Sequence, residues 1–172
     1  MRRARKSAQK STWGASDGGL LLRLQLPSDP SLLCTVRGAV ERLTEAFGFS
    51  APDCRAVTRA VDEALTNIIR HAYGGALDRP IQLAFRSTNG PQAGKNGRGD
   101  GLEIVMSDRG PAVDPEKLCG RELSDLKPGG LGLHFIRQSM DVVEFKRAKG
   151  ANYLRLVKYV RAPGQAANLP KS

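Results

Sequence analysis

The chain has 172 residues, of which 40% are hydrophobic and 26% charged, as is typical of one soluble globular domain. This length and composition exclude a collagen, a disulfide-stapled miniprotein and a multidomain enzyme. The net charge of +10 is concentrated at the two ends: residues 1–12 hold five basic residues and residues 161–172 hold two, with no acidic residue in either segment. Residues 13–160 therefore hold 20 basic and 17 acidic residues, a balance that argues against direct nucleic-acid binding.

Three cysteines, Cys34, Cys54 and Cys119, belong to no CxxC pair or His/Cys cluster of the sequence. Neither a zinc site nor a disulfide framework is therefore predicted, and a reducing cytoplasm is the expected location. The sequence holds no run of about 18 apolar residues and no apolar segment after its basic start, so neither a membrane span nor a signal peptide is expected. We expect a disordered basic leader at 1–18, one folded domain at 19–160 and a flexible tail at 161–172.

The predicted elements begin with a strand over 20–26, in which every second residue is a leucine. Apolar residues at helical spacing predict one helix over 31–47 and a second over 50–73, which starts with Ser50 as its N-cap. The same patterns then predict strands at 80–87, 102–107, 142–146 and 152–160, a helix at 131–140 and a turn of helix near 115–119. Neighbouring strands combined with separate helices predict an α+β sandwich with the helices gathered on one side.

A first motif lies on the long second helix, where Glu63, Asn67 and His71 stand at i, i+4 and i+8. At 3.6 residues per turn, this spacing predicts that the three side chains share one helix face. The amide oxygen of Asn67 suits a Mg²⁺ ion already crowded by phosphates, and the carboxylate of Glu63 could take a proton from an attacking hydroxyl. A plain amphipathic helix with a polar stripe would show the same spacing.

A second motif, Asp108-Arg109-Gly110-Pro111, directly follows a predicted strand. A carboxylate at a strand end could accept a hydrogen bond from the exocyclic amino group of a base. Gly110 would let a flat ligand approach the backbone closely. The alternative is a simple Asp-x-Gly turn.

A third motif, Pro128-Gly129-Gly130-Leu131-Gly132-Leu133, opens the helix predicted at 131–140. Free amides at a helix start, flanked by glycines, bind phosphate well, and the glycines could hinge a lid over a ligand. The motif is neither a Walker loop nor a Rossmann fingerprint. An ordinary glycine-rich loop before a helix is the alternative.

In this order, the three motifs closely resemble the GHKL (Bergerat) ATPases: E-x3-N-x3-H on a helix, D-x-G after a strand, and G-G-x-G before a helix. The segments DEALTNIIRHAYGG, SDRGPAVDPEKL, PGGLGLHFIRQSMDVVEF and GANYLRLVK further resemble the anti-sigma factor serine/threonine kinases. This resemblance covers about residues 20–160. It implies a two-layer α/β sandwich with a mixed sheet and helices on one face.

The resemblance also implies ATP and Mg²⁺ as ligands and gives each motif residue a role. Glu63 would be the general base that activates a serine of the partner protein. Asn67 would bind Mg²⁺ between the phosphates, and His71 would lie along the same nucleotide-facing surface. Asp108 would bond the adenine amino group, and Gly110 would leave room for the purine. The phosphates would be lined by the backbone of Gly130, Leu131 and Gly132.

The sequence departs from the family pattern at two positions. An arginine often precedes the lid glycines, whereas this chain has Lys127, which becomes a candidate for the γ-phosphate contact together with Arg121. A threonine often follows the glycine before the last strand, whereas here Asn152 is the candidate for the same hydrogen bond. The loop at 88–101 also looks longer than usual, which hints at a particular partner surface.

The resemblance further implies two protein partners. One is a small STAS-domain anti-anti-sigma protein, phosphorylated on a serine, and the other is a sigma factor, sequestered while ATP is bound. A homodimer is expected, with no membrane and no direct nucleic-acid partner. The sequence leaves other functions open: a non-catalytic switch whose partner is chosen by bound ATP or ADP, the catalytic half of a two-component sensor acting in trans, and a nucleic-acid-binding protein.

Overall fold

The computed structural model of the chain describes residues 19–89, 100–112 and 131–161. In chain order, these residues form β1 (Leu20–Pro27), a 3-10 turn (Pro30–Leu32), α1 (Leu33–Phe47), α2 (Ala51–Asn67), a π-helical turn (Ile68–Ala72), β2 (Pro80–Thr88), β3 (Gly101–Asp108), α3 (Leu131–Ser139), β4 (Val142–Ala148) and β5 (Ala151–Tyr159). The predicted strands and long helices are confirmed. The expected leader at 1–18, the helical turn near 115–119, Arg121, Lys127, Gly130 and the tail after residue 161 lie outside the described residues.

Local sequence signals set the ends of the helices. Gly48 ends α1 with a left-handed φ of 79°, a conformation that glycine adopts without strain. Ser50 caps α2, because its side chain accepts a hydrogen bond from the Asp53 N–H, and the Ser50 hydroxyl donates to the Asp53 carboxylate at 2.6 Å. These two ends leave only a short connection between α1 and α2. The two helices are antiparallel, since Arg37 near the start of α1 bonds Asp62 near the end of α2.

The five strands form one sheet in the order β1-β2-β3-β5-β4, and every neighbouring pair is antiparallel. The expectation of a mixed sheet is therefore wrong for the strands that the structure describes. The reason is that two helices separate β1 from β2, so the chain returns to the sheet in the opposite direction. β4 runs parallel to β3, but β5 lies between these two strands and pairs with both of them.

The helices cover one face of the sheet, as predicted, and the hydrophobic core lies between the two layers. Side chains of the central strands that are less than a tenth exposed fill the sheet side of this core: Ile81, Leu83, Phe85, Leu102, Ile104, Met106, Leu154 and Leu156. The helices contribute buried residues at helical spacing, among them Val36, Val40, Val57, Val61, Leu65 and Ile136. The structure is thus a two-layer α+β sandwich.

The opposite face of the sheet carries a row of alternating charges. Arg86 on β2, Glu103 on β3, Arg155 on β5 and Glu144 on β4 follow one another across four strands. The guanidinium of Arg155 bonds Glu103 at 2.5 Å and Glu144 at 3.1 Å. Opposite charges on neighbouring strands support the strand register. Among the helices described, none is long and apolar enough to cross a membrane.

Candidate active site

The first and third motifs meet where α3 begins. Leu131 and Gly132 open α3, and Gly132 lies directly against the side chain of Glu63 on α2. A methyl group added to Gly132 would lie 1.9 Å from Oε1 of Glu63 and 2.6 Å from its carboxylate carbon. Only a glycine therefore fits here while Glu63 keeps its position. The predicted general base and the predicted phosphate-binding helix start are neighbours.

Asn67 and His71 continue the polar stripe but not in one regular helix. Asn67 is the last residue of α2, one turn beyond Glu63, and is partly exposed. His71 is exposed and lies in the π-helical turn, where the Tyr73 N–H bonds the Ile68 carbonyl instead of a carbonyl four residues back. This wider turn rotates the residues after Asn67 away from their α-helical positions. Such π-turns are frequent at functional sites.

The π-helical turn positions the loop of the second motif. The hydroxyl of Tyr73 accepts a hydrogen bond from the Arg109 N–H at 2.8 Å and donates one to the Pro80 carbonyl at 2.7 Å. A methyl group on Gly110 would lie 2.6 Å from Cβ of Ala72 and 2.8 Å from its carbonyl oxygen. The loop after β3 therefore packs on the end of the helix with no room for a side chain at Gly110.

The surroundings of Tyr73 also change the pKa of its phenol. Burial raises the pKa of the phenol above its ordinary value, and the nearby Asp108 carboxylate adds to this rise, while the hydrogen bond with Arg109 opposes it. The phenol is therefore held in its neutral form, which can donate and accept at once. Sequence reasoning gave Tyr73 no role at the site, although the Ala-Tyr pair before two glycines was the available signal.

Asp108, at the end of β3, is a buried carboxylate with 7% of its surface exposed. Its Oδ1 atom accepts hydrogen bonds from the Gly110 N–H at 2.8 Å and from Nδ2 of Asn152 at 2.9 Å. Asn152, 9% exposed, stands directly opposite Asp108 on β5. Within the described residues, the hydrogen bonds to this carboxylate reach Oδ1, which leaves Oδ2 as the acceptor for a ligand.

Two arginines that sequence reasoning did not single out complete the surroundings. Arg147 on β4 donates through Nη1 to Oδ1 of Asn152 at 2.6 Å and to the Gly110 carbonyl at 3.1 Å. Arg59 stands one turn before Glu63 on α2, and its guanidinium carbon lies 4.0 Å from the centre of the Phe135 ring on α3. This cation–π contact links the helix that carries Glu63 to the helix that begins at Leu131.

The two contact points lie along one helix. Glu63 meets Gly132, and nine residues later Ala72 meets Gly110, so at about 1.5 Å per residue the points are roughly 13 Å apart. Asn67 lies between them. The site therefore has the carboxylate of Asp108 at one end and the amide oxygen of Asn67 in the middle. The carboxylate of Glu63 and the start of α3 lie at the other end. An extended molecule with a donor-bearing base and a polyanionic tail fits this order of groups.

The described residues also limit how a metal ion could be held. No group of three or more His, Cys, Asp or Glu side chains within them could bind a metal by itself. Among the described residues, Glu63 beside Gly132 offers a carboxylate, and Asn67, one turn further along α2, offers an amide oxygen. This set fits Mg²⁺, which prefers oxygen ligands and is commonly held by one or two protein oxygens together with substrate phosphates.

This combination of a two-layer sandwich with a site between helix and sheet defines a class of nucleotide-binding ATPases. The sequence profile of the histidine kinase-like ATPase domain matches residues 26–158, and the chain belongs to this family. The family assignment made from the three motifs is confirmed.

Within that family, the chain belongs to the serine/threonine-protein kinases. It is 27% identical over 150 residues to the serine-protein kinase RsbW of Halalkalibacterium halodurans, an alignment that covers 81% of this chain and 83% of the relative. It is 31% identical over 107 residues to the serine/threonine-protein kinase BtrW of Bordetella bronchiseptica, covering 60% of this chain and 68% of the relative.

Solved structures confirm the fold. The chain is similar to one in the SiaB–SiaC complex from Pseudomonas aeruginosa, with a TM-score of 0.56 and 18% identity over 80% of this chain and 89% of that chain. It is also similar to a structure of RsbU and RsbW domains from Mycobacterium tuberculosis, with a TM-score of 0.55 and 17% identity over 86% of this chain and 35% of that chain.

Proposed function

We propose that the chain binds ATP with Mg²⁺ along α2 and transfers the γ-phosphate to a serine of a partner protein. The observation that carries this proposal is the contact between Glu63 and Gly132, because it joins a carboxylate base to the start of the helix that follows the phosphate-binding glycines. The names of the kinase relatives support the same reaction.

The base of the nucleotide lies at Asp108. Its Oδ2 accepts a hydrogen bond from the adenine amino group, and Gly110 lets the loop that carries this carboxylate pack against Ala72. The same loop is fixed from two sides, by Tyr73 through the Arg109 N–H and by Arg147 through the Gly110 carbonyl. A base site held in this way needs little rearrangement when the nucleotide binds, which favours affinity.

The phosphates extend along the helix toward the start of α3. The amide oxygen of Asn67 would hold Mg²⁺, and backbone amides at the beginning of α3 would face the phosphate oxygens. When bound, the metal ion neutralises the phosphate charge. His71, Gly130, Lys127 and Leu131 are proposed as further contacts to the nucleotide, as the family resemblance implies.

Glu63 then acts on the acceptor. Its carboxylate takes the proton of the partner's serine hydroxyl, the serine oxygen forms a bond to the γ-phosphorus, and the bond between that phosphorus and the oxygen of ADP breaks. A positioned base of this kind contributes about 10²–10⁴-fold to the rate. The contact with Gly132 places the carboxylate beside the start of α3, where the γ-phosphate would lie.

The partner that fits this proposal is a STAS-domain anti-anti-sigma protein, with a sigma factor as the second partner, sequestered while ATP is bound. The chain would act as a cytoplasmic homodimer that leaves the sigma factor when its antagonist is unphosphorylated and holds it again after phosphorylation. The motif resemblance and the RsbW and BtrW relatives support this choice of partners.

Transfer of labelled phosphate from ATP to a STAS-domain protein of the same organism tests the proposal. We expect wild-type protein to label one serine, and Glu63→Gln to bind ATP as tightly while labelling it about 10²–10⁴-fold more slowly. Glu45→Gln is the matched control, because Glu45 lies on α1 in an exposed pair with Arg42. Normal transfer by Glu63→Gln would contradict the assigned base, and tight ATP binding with no transfer by the wild type would favour the non-catalytic switch.

A further inference from the structure

Three polar residues form a straight row across the helix-facing side of the sheet. Asp108 on β3 pairs with Asn152 on β5, and Asn152 pairs with Arg147 on β4. The register of the last pair is set by the turn between β4 and β5, where Lys149 and Gly150 have φ values of 50° and 77°. Positive φ at both central residues is the geometry of a two-residue type I′ hairpin, which holds Arg147 opposite Asn152.

The amide of Asn152 is fully engaged within this row. Its Nδ2 donates to Oδ1 of Asp108 and to the Pro111 carbonyl, each at 2.9 Å, and its Oδ1 accepts from Arg147 at 2.6 Å. Because the arginine can only donate, it fixes which end of the amide faces it. The NH₂ end of Asn152 must therefore face Asp108.

Arg147 thus contributes to the positioning of a carboxylate that it does not touch. Without Arg147, Oδ1 of Asn152 would lose this donor, and the amide, still bonded to Asp108 and Pro111 through Nδ2, would be held from one side only. The same guanidinium also bonds the Gly110 carbonyl, so it anchors the backbone of the loop that carries the carboxylate. Through both contacts, with Asn152 and with the Gly110 carbonyl, Arg147 helps to orient the carboxylate of Asp108.

We infer that Arg147 is a positioning residue that, through Asn152, aims the free oxygen of Asp108 at the amino group of a 6-aminopurine nucleotide. This inference rests on the proposed nucleotide site. It predicts that Arg147 contributes to discrimination between purines at position 6 and not to general nucleotide affinity. A carboxylate oxygen accepts a hydrogen bond from an amino group at position 6 of the purine. It forms no hydrogen bond when position 6 carries only a hydrogen atom, and it repels a carbonyl oxygen there.

The experiment measures the Kd values of three Mg²⁺-bound nucleotides by calorimetry: ATP, purine riboside triphosphate, which has hydrogen at position 6, and inosine triphosphate, which has a carbonyl. The variants are Arg147→Met, which removes the donors, and Arg147→Lys, which keeps the charge and a single donor group. Arg42→Met is the control, since it removes an exposed positive charge on α1.

We expect Arg147→Met to weaken ATP binding about tenfold and to leave the 6-hydrogen analogue within about twofold of wild type. For ATP, the Kd of Arg147→Lys should lie between those of wild type and Arg147→Met, and Arg42→Met should match wild type. Equal weakening of ATP and the analogue in Arg147→Met would overturn the inference, as would a wild-type protein that binds both equally. If the wild type binds no nucleotide at all, the proposed function itself fails. Thermal unfolding of each variant identifies any that do not fold, in which case Arg147→Lys decides.

Discussion

Replacement of Gly132 by alanine tests how closely α3 approaches the proposed base. The new methyl group would lie 1.9 Å from Oε1 of Glu63, 2.6 Å from Cδ and 2.9 Å from Cγ. Ordinary contacts between carbon atoms are about 3.5–4.0 Å, so one of the two groups must move. The atoms in the way belong to the flexible end of a glutamate side chain and not to backbone. The carboxylate is therefore expected to leave its position while α3 stays packed.

The effects on stability and on activity should differ strongly. A Glu63 side chain pushed off its rotamer by the new methyl group costs about 0.5–1.5 kcal/mol. Replacing a glycine by alanine in a helix stabilises it by about 0.5–1 kcal/mol. These terms nearly cancel, so the free energy of unfolding of Gly132→Ala should lie within about 1 kcal/mol of wild type. Phosphate transfer should fall by about 10²–10⁴, the contribution expected of a positioned general base.

Gly38→Ala is the matched control, because Gly38 lies in α1 and a methyl group there meets nothing within 4 Å. It should raise the free energy of unfolding by about 0.5–1 kcal/mol and leave transfer unchanged. Denaturant unfolding and phosphate transfer to a STAS-domain protein give the two quantities for each variant. Wild-type transfer by Gly132→Ala would refute the placement of Glu63 as the base beside α3.

Two further predictions concern the loop after β3. Gly110→Ala places a methyl group 2.8 Å from the Ala72 carbonyl, a backbone atom that cannot turn aside, so we expect a loss of about 1–3 kcal/mol in unfolding free energy and weaker ATP binding by calorimetry. Tyr73→Phe removes the hydroxyl that joins Arg109 to Pro80 and should cost about 1 kcal/mol at pH 7 in denaturant unfolding. The folded pKa of Tyr73 lies above the unfolded value of about 10, so its contribution is complete below pH 10 and is lost as the pH rises through the folded pKa. Unfolding measured from pH 8 upward should show this loss in wild type and not in Tyr73→Phe, and identical pH profiles would count against the buried phenol.

Patterns with a short range were enough to predict most of the fold. Alternating leucines gave β1, helical spacing gave α1 and α2, and the Ser50 cap forms the predicted hydrogen bond with Asp53. The direction of β1 relative to β2 was not predictable from such patterns. It depends on the antiparallel packing of α1 against α2, which is a tertiary contact, and the expected mixed sheet was wrong for that reason.

In the candidate site too, some residues could be predicted from the sequence and others could not. Glu63 and Gly132 could be singled out because each residue type suits a chemical role, and the structure brings them together. Arg147 could not, since it acts through a hydrogen bond to Gly110, 37 residues away in the sequence. The contact of Tyr73 with Arg109, 36 residues away, was likewise not predictable. The π-helical turn that directs Tyr73 toward Arg109 has no signal in the apolar periodicity of α2.

Binding of Mg-ATP to the wild-type protein and to Asn67→Ala, measured by calorimetry with a parallel thermal unfolding scan, tests the central claim most directly. Asn89→Ala, at an exposed position after β2, serves as the control. At about 100 times its Kd, ATP should stabilise the wild type by about 2.7 kcal/mol. Asn67→Ala should bind Mg-ATP at least about tenfold more weakly, with a smaller difference when Mg²⁺ is removed. No binding by the wild type at millimolar nucleotide, or equal Mg-dependent binding by Asn67→Ala, would contradict the nucleotide site along α2.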